Sequence, residues 1–350
     1  MLRALCFLFL LATMASRAQD TVKVNLAQNP DQEAEQNYNL GIELMQKGEY
    51  QLAINLFSSC LLKKPAFDKG YANRAIAFSQ LKKYPEALMD INSAIHYNPE
   101  NPEYPFNKSL IYQGLNETDS QHVALDQCLK LKPGHPEAAY YKGMLYFESG
   151  DYKKSLEYYN LAIENKPDYC FAYNDRGSVH LALQETEAAI KDYSKAISID
   201  SSHVFIFNNL GSAFRSAKQF EKALTYYSMA LQKDPNYLVA LNNRGATYLE
   251  NNALDAARED FEQVVKKDPR NFSALNNLAS VAIKNKDFKK ARDYASRSIE
   301  INARNGAAYY NRGIARQMLR EEQGSCDDWH RALELGVQSV KTFINSTCND

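Results

Sequence analysis

A single tryptophan stands in 350 residues, against 23 tyrosines and 16 phenylalanines. Neither sign of charge is in excess: 41 Lys and Arg face 42 Asp and Glu, a formal net charge of -1. Without a basic surplus the chain cannot neutralise a phosphate backbone, so nucleic acid is not an expected partner. Motifs that carry chemistry are missing. There is no G-x-S-x-G elbow, no phosphate-binding Gly-rich loop and no H-E-x-x-H pair. The six histidines (His96, His122, His135, His180, His203 and His330) lie scattered, with no two at metal-ligand spacing on one helix. His180 is expected to pack in the core. No enzyme activity, catalytic residue, metal site or cofactor is therefore expected. Long apolar runs are also lacking beyond the N-terminus, so no spanning helix is expected, while 45% hydrophobic residues exclude wholesale disorder.

The N-terminus carries the one apolar run. Arg3 precedes Ala4-Leu5-Cys6-Phe7-Leu8-Phe9-Leu10-Leu11-Ala12, and Ser16-Arg17-Ala18 places small residues where a signal peptidase reads. Residues 1–18 are thus expected to be a secretory signal peptide, and the mature chain to begin at Gln19, exported to a periplasm or the extracellular space. Its net charge would be about -3. Residues 19–33 are polar, contain Asn29-Pro30-Asp31, and read as a flexible leader.

From residue 34 to 339 the sequence aligns with itself at a period of 34, nine times. One column is small: Gly41, Ala75, Ser109, Gly143, Gly177, Gly211, Gly245, Ala279, Gly313. Sixteen residues later comes Phe57, Ile91, Leu125, Tyr159, Tyr193, Tyr227, Phe261, Ala295, Trp329. Proline closes six units, at Pro65, Pro99, Pro133, Pro167, Pro235 and Pro269. Apolar residues recur at helical spacing within each unit, as in Leu224 to Leu231, and proline ends the second helix. Columns of Gly, Ala and Ser mark close helix approach. The third unit is the least regular, with Gln121 in the alanine column, and distortion is expected at Asn116 to Gln121.

These offsets of Gly, aromatic, Ala and Pro resemble the tetratricopeptide repeat over about 306 residues. The resemblance implies an all-α, right-handed superhelical solenoid of helix-turn-helix units forming one domain, with first helices lining a concave groove. After Gly336, Val337 to Ile344 gives a short amphipathic capping helix within residues 337–350, an ending similar to that of some exported bacterial repeat proteins. Cys326 and Cys348 lie at opposite ends of this cap, and export to an oxidising compartment leads to the expectation of a disulfide between them. Cys60 and Cys128 replace alanine and are expected in the core. Cys170 is left over.

Arg74, Arg176, Arg244 and Arg312 precede the small column, and those same units carry Asp90, Asp192, Asp260 and Asp328 sixteen residues on. The other five units lack both. Co-occurrence at a fixed offset points to structural ion pairs between the two helices of a unit.

The sixth place of each unit is Asn in seven of nine: Asn39, Asn73, Asn107, Asn209, Asn243, Asn277 and Asn311, with Tyr141 and Asp175 as exceptions. The fifth place is also Asn in four: Asn174, Asn208, Asn242 and Asn276. The resemblance places the sixth-place residues on the concave face, where some relatives grip a peptide backbone through donor and acceptor of the carboxamide. Asn here is also common across the family, so the doubled asparagines with Phe171 and Phe205 one turn away are the more specific signal. The carboxylate clamp of co-chaperone relatives is not assembled, since Ala72 and Phe106 stand where it needs a cation. The expected function is a non-catalytic scaffold or adaptor binding an extended peptide or helix of another protein. The alternative is a structural or assembly component that associates through its convex face or ends.

Overall fold

The computed structural model describes residues 30–348. The signal-peptide reading and residues 19–29 of the leader lie outside the described residues. Within them the chain is all-α, without strands. The first two hairpins are α1 (Pro30–Gln46) with α2 (Tyr50–Lys63), and α3 (Asp68–Gln80) with α4 (Tyr84–Tyr97). Next come α5 (Glu103–Leu115) with α6 (Thr118–Leu131), α7 (Pro136–Glu148) with α8 (Tyr152–Asn165), and α9 (Cys170–Ala182) with α10 (Thr186–Ile199). They are followed by α11 (Val204–Ser216) with α12 (Phe220–Lys233), and α13 (Leu238–Glu250) with α14 (Leu254–Lys267). The last are α15 (Phe272–Lys284) with α16 (Phe288–Ile301), and α17 (Gly306–Met318) with α18 (Glu322–Glu334). A 3₁₀ turn (Gln338–Val340) and α19 (Lys341–Thr347) close the chain.

Pro30 and Asp31, read as leader, instead open α1. Proline suits the first helical turn, where its missing N–H has no partner to lose, and Asp31 and Glu33 complement the helix dipole there. The closing prolines stand just past the second helices rather than in their last turn. The residue before each leaves the helical region, as at Lys64 (φ -126°, ψ 79°), a backbone compatible with a following proline and adopted without one at Asp200 and Asn302.

Every hairpin turns through one left-handed residue at the same place: Gly48, Lys82, Asn116, Gly150, Gln184, Lys218, Asn252, Lys286 and Arg320. The distortion expected at Asn116 to Gln121 is absent, since Asn116 (φ 59°) matches its counterparts and α6 follows normally. The third unit's irregularity lies instead in a side chain. Gln121 is 3% exposed in a place other units give to a small residue, and its Nε2 has no hydrogen-bond partner.

The small column and the large column meet. A Cβ on Gly245 would lie 2.8 Å from Phe261 Cε1, and Gly41, Gly143, Gly177, Gly211 and Gly313 likewise face the ring sixteen residues on. Where that residue is not aromatic (Ile91, Leu125, Ala295) the small column carries Ala75, Ser109 or Ala279. Volume is thus traded between the two columns, except in the eighth unit, where Ala279 and Ala295 are both small.

The helices group into two compact units divided between Pro99 and Glu100, where the period of 34 alone gives one array. In the first, α2 packs on α3 and α1 touches α3. In the second, each second helix packs on the next first helix, and α7, α9, α11, α13, α15 and α17 touch in succession to form one face. Its largest continuous core runs from Cys170 to Ala274.

The cap starts as a 3₁₀ turn rather than at Val337 as α-helix, and α19 runs on to Thr347. Gly336 (φ +94°) terminates α18 in the left-handed conformation, with its N–H on Leu333 and that of Val337 on Ala332. Val340 is buried against Trp329 and Ala332, with Phe343 and Ile344 beside them. Cys326 and Cys348 are joined by a disulfide with Cα atoms 5.6 Å apart. Cys60, Cys128 and Cys170 are free and buried.

Candidate functional site

The arginines form the scaffold on which the site stands. Arg244 Nε and Nη2 donate to Asp260 Oδ2 (2.8 Å) and Oδ1 (2.7 Å), and Arg74, Arg176 and Arg312 hold Asp90, Asp192 and Asp328 in the same two-pronged way. All four aspartates are buried. Each arginine also reaches a third helix through Nη1, to Ser58, Asn160, Ser228 or Ser296 of the unit before. That third contact escaped the sequence reading, although Ser or Asn sixteen residues before each arginine signals it. In the fourth unit, Lys142 donates backwards to Asp126 at 2.6 Å and lies over the Tyr146 and Tyr158 rings. His180 is not core packing: its Nδ1 lies 2.6 Å from Glu185 Oε2 and its Nε2 3.7 Å from Asp192.

The asparagines on the first-helix face bond to one another. Asn209 Nδ2 donates to Asn174 Oδ1 (3.1 Å), Asn243 to Asn208 (2.9 Å), Asn277 to Asn242 (3.2 Å) and Asn311 to Asn276 (2.8 Å). Each sixth-place amide therefore donates to the fifth-place amide one unit earlier. At the front of the series Tyr140 donates to Asp175 Oδ2 at 2.7 Å, and Asn174 donates to Asp175 Oδ1 at 2.9 Å. In the first compact unit Asn73 donates to the Tyr38 hydroxyl.

The relay divides the candidate residues. Asn174, Asn208 and Asn311 are 4%, 5% and 6% exposed, so they offer no surface to a ligand and instead hold the stripe. Asn209, Asn242, Asn243, Asn276 and Asn277 are half-buried. The Oδ1 atoms of Asn243 and Asn277 accept no hydrogen bond from the described residues, and one N–H of each is unspent. The relay fixes the direction in which those atoms point.

Apolar surface stands beside them. Phe171 is exposed and Val239 is half open at 51%. The Phe171 and Phe205 rings lie nearly parallel with centroids 6.4 Å apart. His203, which the sequence reading left unassigned, sits 4.8 Å from one ring and 5.5 Å from the other and is 3.2 Å from Asp200. The free cysteines offer no nucleophile: burial pushes the Cys128 thiol up to about 12 and raises Cys60 and Cys170. Among the described residues no cluster of three or more His, Cys, Asp or Glu is placed to hold a metal, and no helix is long and apolar enough to cross a membrane.

Tetratricopeptide-repeat family models match residues 136–169, 172–203, 204–237 and 242–308. Over 96 residues the chain is 34% identical to the small glutamine-rich tetratricopeptide repeat-containing protein 2 of Saccharomyces cerevisiae, a match covering 24% of this chain. The chain spans 28% of that relative's length. A tetratricopeptide repeat protein from Parabacteroides merdae has a similar structure, with TM-score 0.60 and 16% identity over 71% of this chain and 99% of that one. The pilF protein of Pseudomonas aeruginosa also does, with TM-score 0.53 and 19% identity over 60% and 96%. At these identities the likeness concerns the fold. Residues 136–308 match the tetratricopeptide repeat in sequence, the hairpins on either side keep its period and geometry, and the fold is an all-α array of packed helical pairs like that of tetratricopeptide-repeat structures.

Proposed function

We propose that this chain is an exported, non-catalytic adaptor that binds an extended segment or helix of another protein along the face built by α9, α11, α13 and α15. Tetratricopeptide-repeat proteins generally mediate protein–protein interactions, which makes the first-helix face the place to look. The observation that carries the reading is the amide relay. It leaves the Oδ1 and one N–H of Asn243 and Asn277 unspent on a half-buried stripe, with exposed Val239 one turn from Asn243 and exposed Phe171 two repeats earlier on α9. A pre-oriented carboxamide offers donor and acceptor to a peptide unit without ordering cost, and the apolar neighbours take side chains. Export is supported by the layout of residues 1–18 and by a disulfide of the kind that persists in oxidising compartments.

The test is a crosslinking pull-down from the native source with the chain from Gln19, beside two variants. One carries Asn209→Ala, Asn243→Ala and Asn277→Ala. The other carries Val239→Asp, which breaks no relay bond. A partner captured by the parent and lost from both variants at unchanged melting temperature places function on this face. Retention by both moves function to the outer surface or the ends, and the groove reading fails.

A further inference from the structure

Two adjoining cavities lie between the third and fifth repeats. One, of about 170 Å³, is lined by Asp175 and Ser178 of α9, Tyr159 of α8, and Met144, Phe147 and Glu148 of α7. The other, of about 210 Å³, shares Met144 and Glu148 and reaches Gln121 of α6. All of these residues belong to the second compact unit.

The charge in this cleft is unbalanced. Asp90, Asp192, Asp260 and Asp328 each meet an arginine, yet among the described residues no Lys, Arg or His lies within ion-pair distance of Asp175 or Glu148. Asp175 is held by two neutral donors, the Tyr140 hydroxyl and the Asn174 amide. Burial keeps its carboxyl above the usual range despite them. The remaining walls are the Met144 thioether, the Phe147 and Tyr159 rings and the Ser178 hydroxyl, of which the first three suit the alkyl stem of a long side chain and the edge of a cation. The neighbouring cavity carries an orphaned donor: Gln121 is 3% exposed and its Nε2 has no partner, so a guest's carbonyl, or a water carried in with it, would satisfy it.

Position matters as much as chemistry. Asp175 occupies the sixth place, one repeat before Asn209, so one wall of the cleft stands where the asparagine stripe begins. Adjacent first helices lie about 10 Å apart, roughly three residues of extended chain.

We propose that the cleft between Asp175 and Glu148 receives a lysine or arginine side chain of the peptide bound along the asparagine stripe. This rests on the groove reading and names the chemistry of the guest. Two carboxylates with apolar walls fit a single organic cation, whereas a metal ion needs a fuller set of oxygen ligands.

The test is display of randomised twelve-residue peptides panned against the full chain. Parallel selections use Asp175→Asn with Glu148→Gln, and Asn243→Ala with Asn277→Ala. Asn at 175 keeps an oxygen for the Tyr140 hydroxyl but loses the acceptor of the Asn174 amide, so melting is checked and Glu148→Gln alone, which breaks neither bond, is selected beside the pair. The expected result is Lys or Arg enriched about tenfold at one register position, an enrichment lost with the charge-removing pair. Peptides that depend on Asn243 and Asn277 but carry no favoured basic position would overturn the cleft and leave the groove standing. Peptides that bind regardless of the asparagine pair, or no enriched peptides at all, overturn both.

Discussion

Arg244 shows how one residue fixes a repeat. Its guanidinium joins α13 to α14 through Asp260 and to α12 through Ser228. Because Asp260 is 3% exposed, Arg244→Leu strands a buried carboxylate. We expect a loss of about 2–3 kcal/mol, since the arginine itself keeps some solvent contact, and a smaller loss when Asp260→Leu is added. A double-mutant cycle in denaturant measures this, and additive losses would refute the coupling. The pairing was legible because Arg and Asp occur together at a fixed offset. The asparagine relay was not. Its bonds join residues 35 apart in different repeats, so a single column reads as a row of free amides when half of it serves the other half. Asp175 was visible only as an exception, and its lack of a cation depends on which residues of α7 and α9 the fold brings together.

Helix pairs are specified by volume. Gly245 yields to Phe261 as Ala75 yields to Ile91, and the two columns trade size inside one hairpin. Gly245→Ala should cost about 1–3 kcal/mol through overpacking, and adding Phe261→Leu should recover part of it despite removing a buried ring. Thermal melting of the single and double variants decides. A double variant no better than the sum of the two singles would mean that the columns do not set each other's size. Both columns were readable from the sequence; their exchange was not drawn from it, because each was taken as a separate signal. The hairpin turns were missed for a different reason. Lys82, Lys218 and Arg320 adopt a backbone that favours glycine, and only the recurring fold at that place reveals it.

A solenoid communicates through neighbours, so its ends are its weak points. The cap covers Trp329 and Ala332 with a short turn and the seven-residue α19, held by the Cys326–Cys348 link. Cys348→Ser should release about 3 kcal/mol of constraint, given the 22-residue separation. The loss should show as faster amide exchange in α17, α18 and α19 with α5 to α8 unchanged. Uniform loss along the chain would contradict nearest-neighbour stability. The repeat period made the array and its closing element legible, but it runs unbroken through Pro99 and Glu100, where the helices divide into two compact units. Periodicity reports what recurs and not where the helices group.

The bonds of this array fall into two kinds. The glycine–ring fit and the two-pronged arginine bond close within one repeat and travel with it when it is copied. The amide relay crosses the border, yet it needs only a fifth-place Asn on one side and a sixth-place Asn on the other. Excision of residues 204–237 would bring Asn243 to Asn174, the same handshake with a different neighbour. The stripe is therefore modular cloth: it can be lengthened or shortened by whole repeats during evolution without losing its seam, and the span of guest it measures can change while its grip does not.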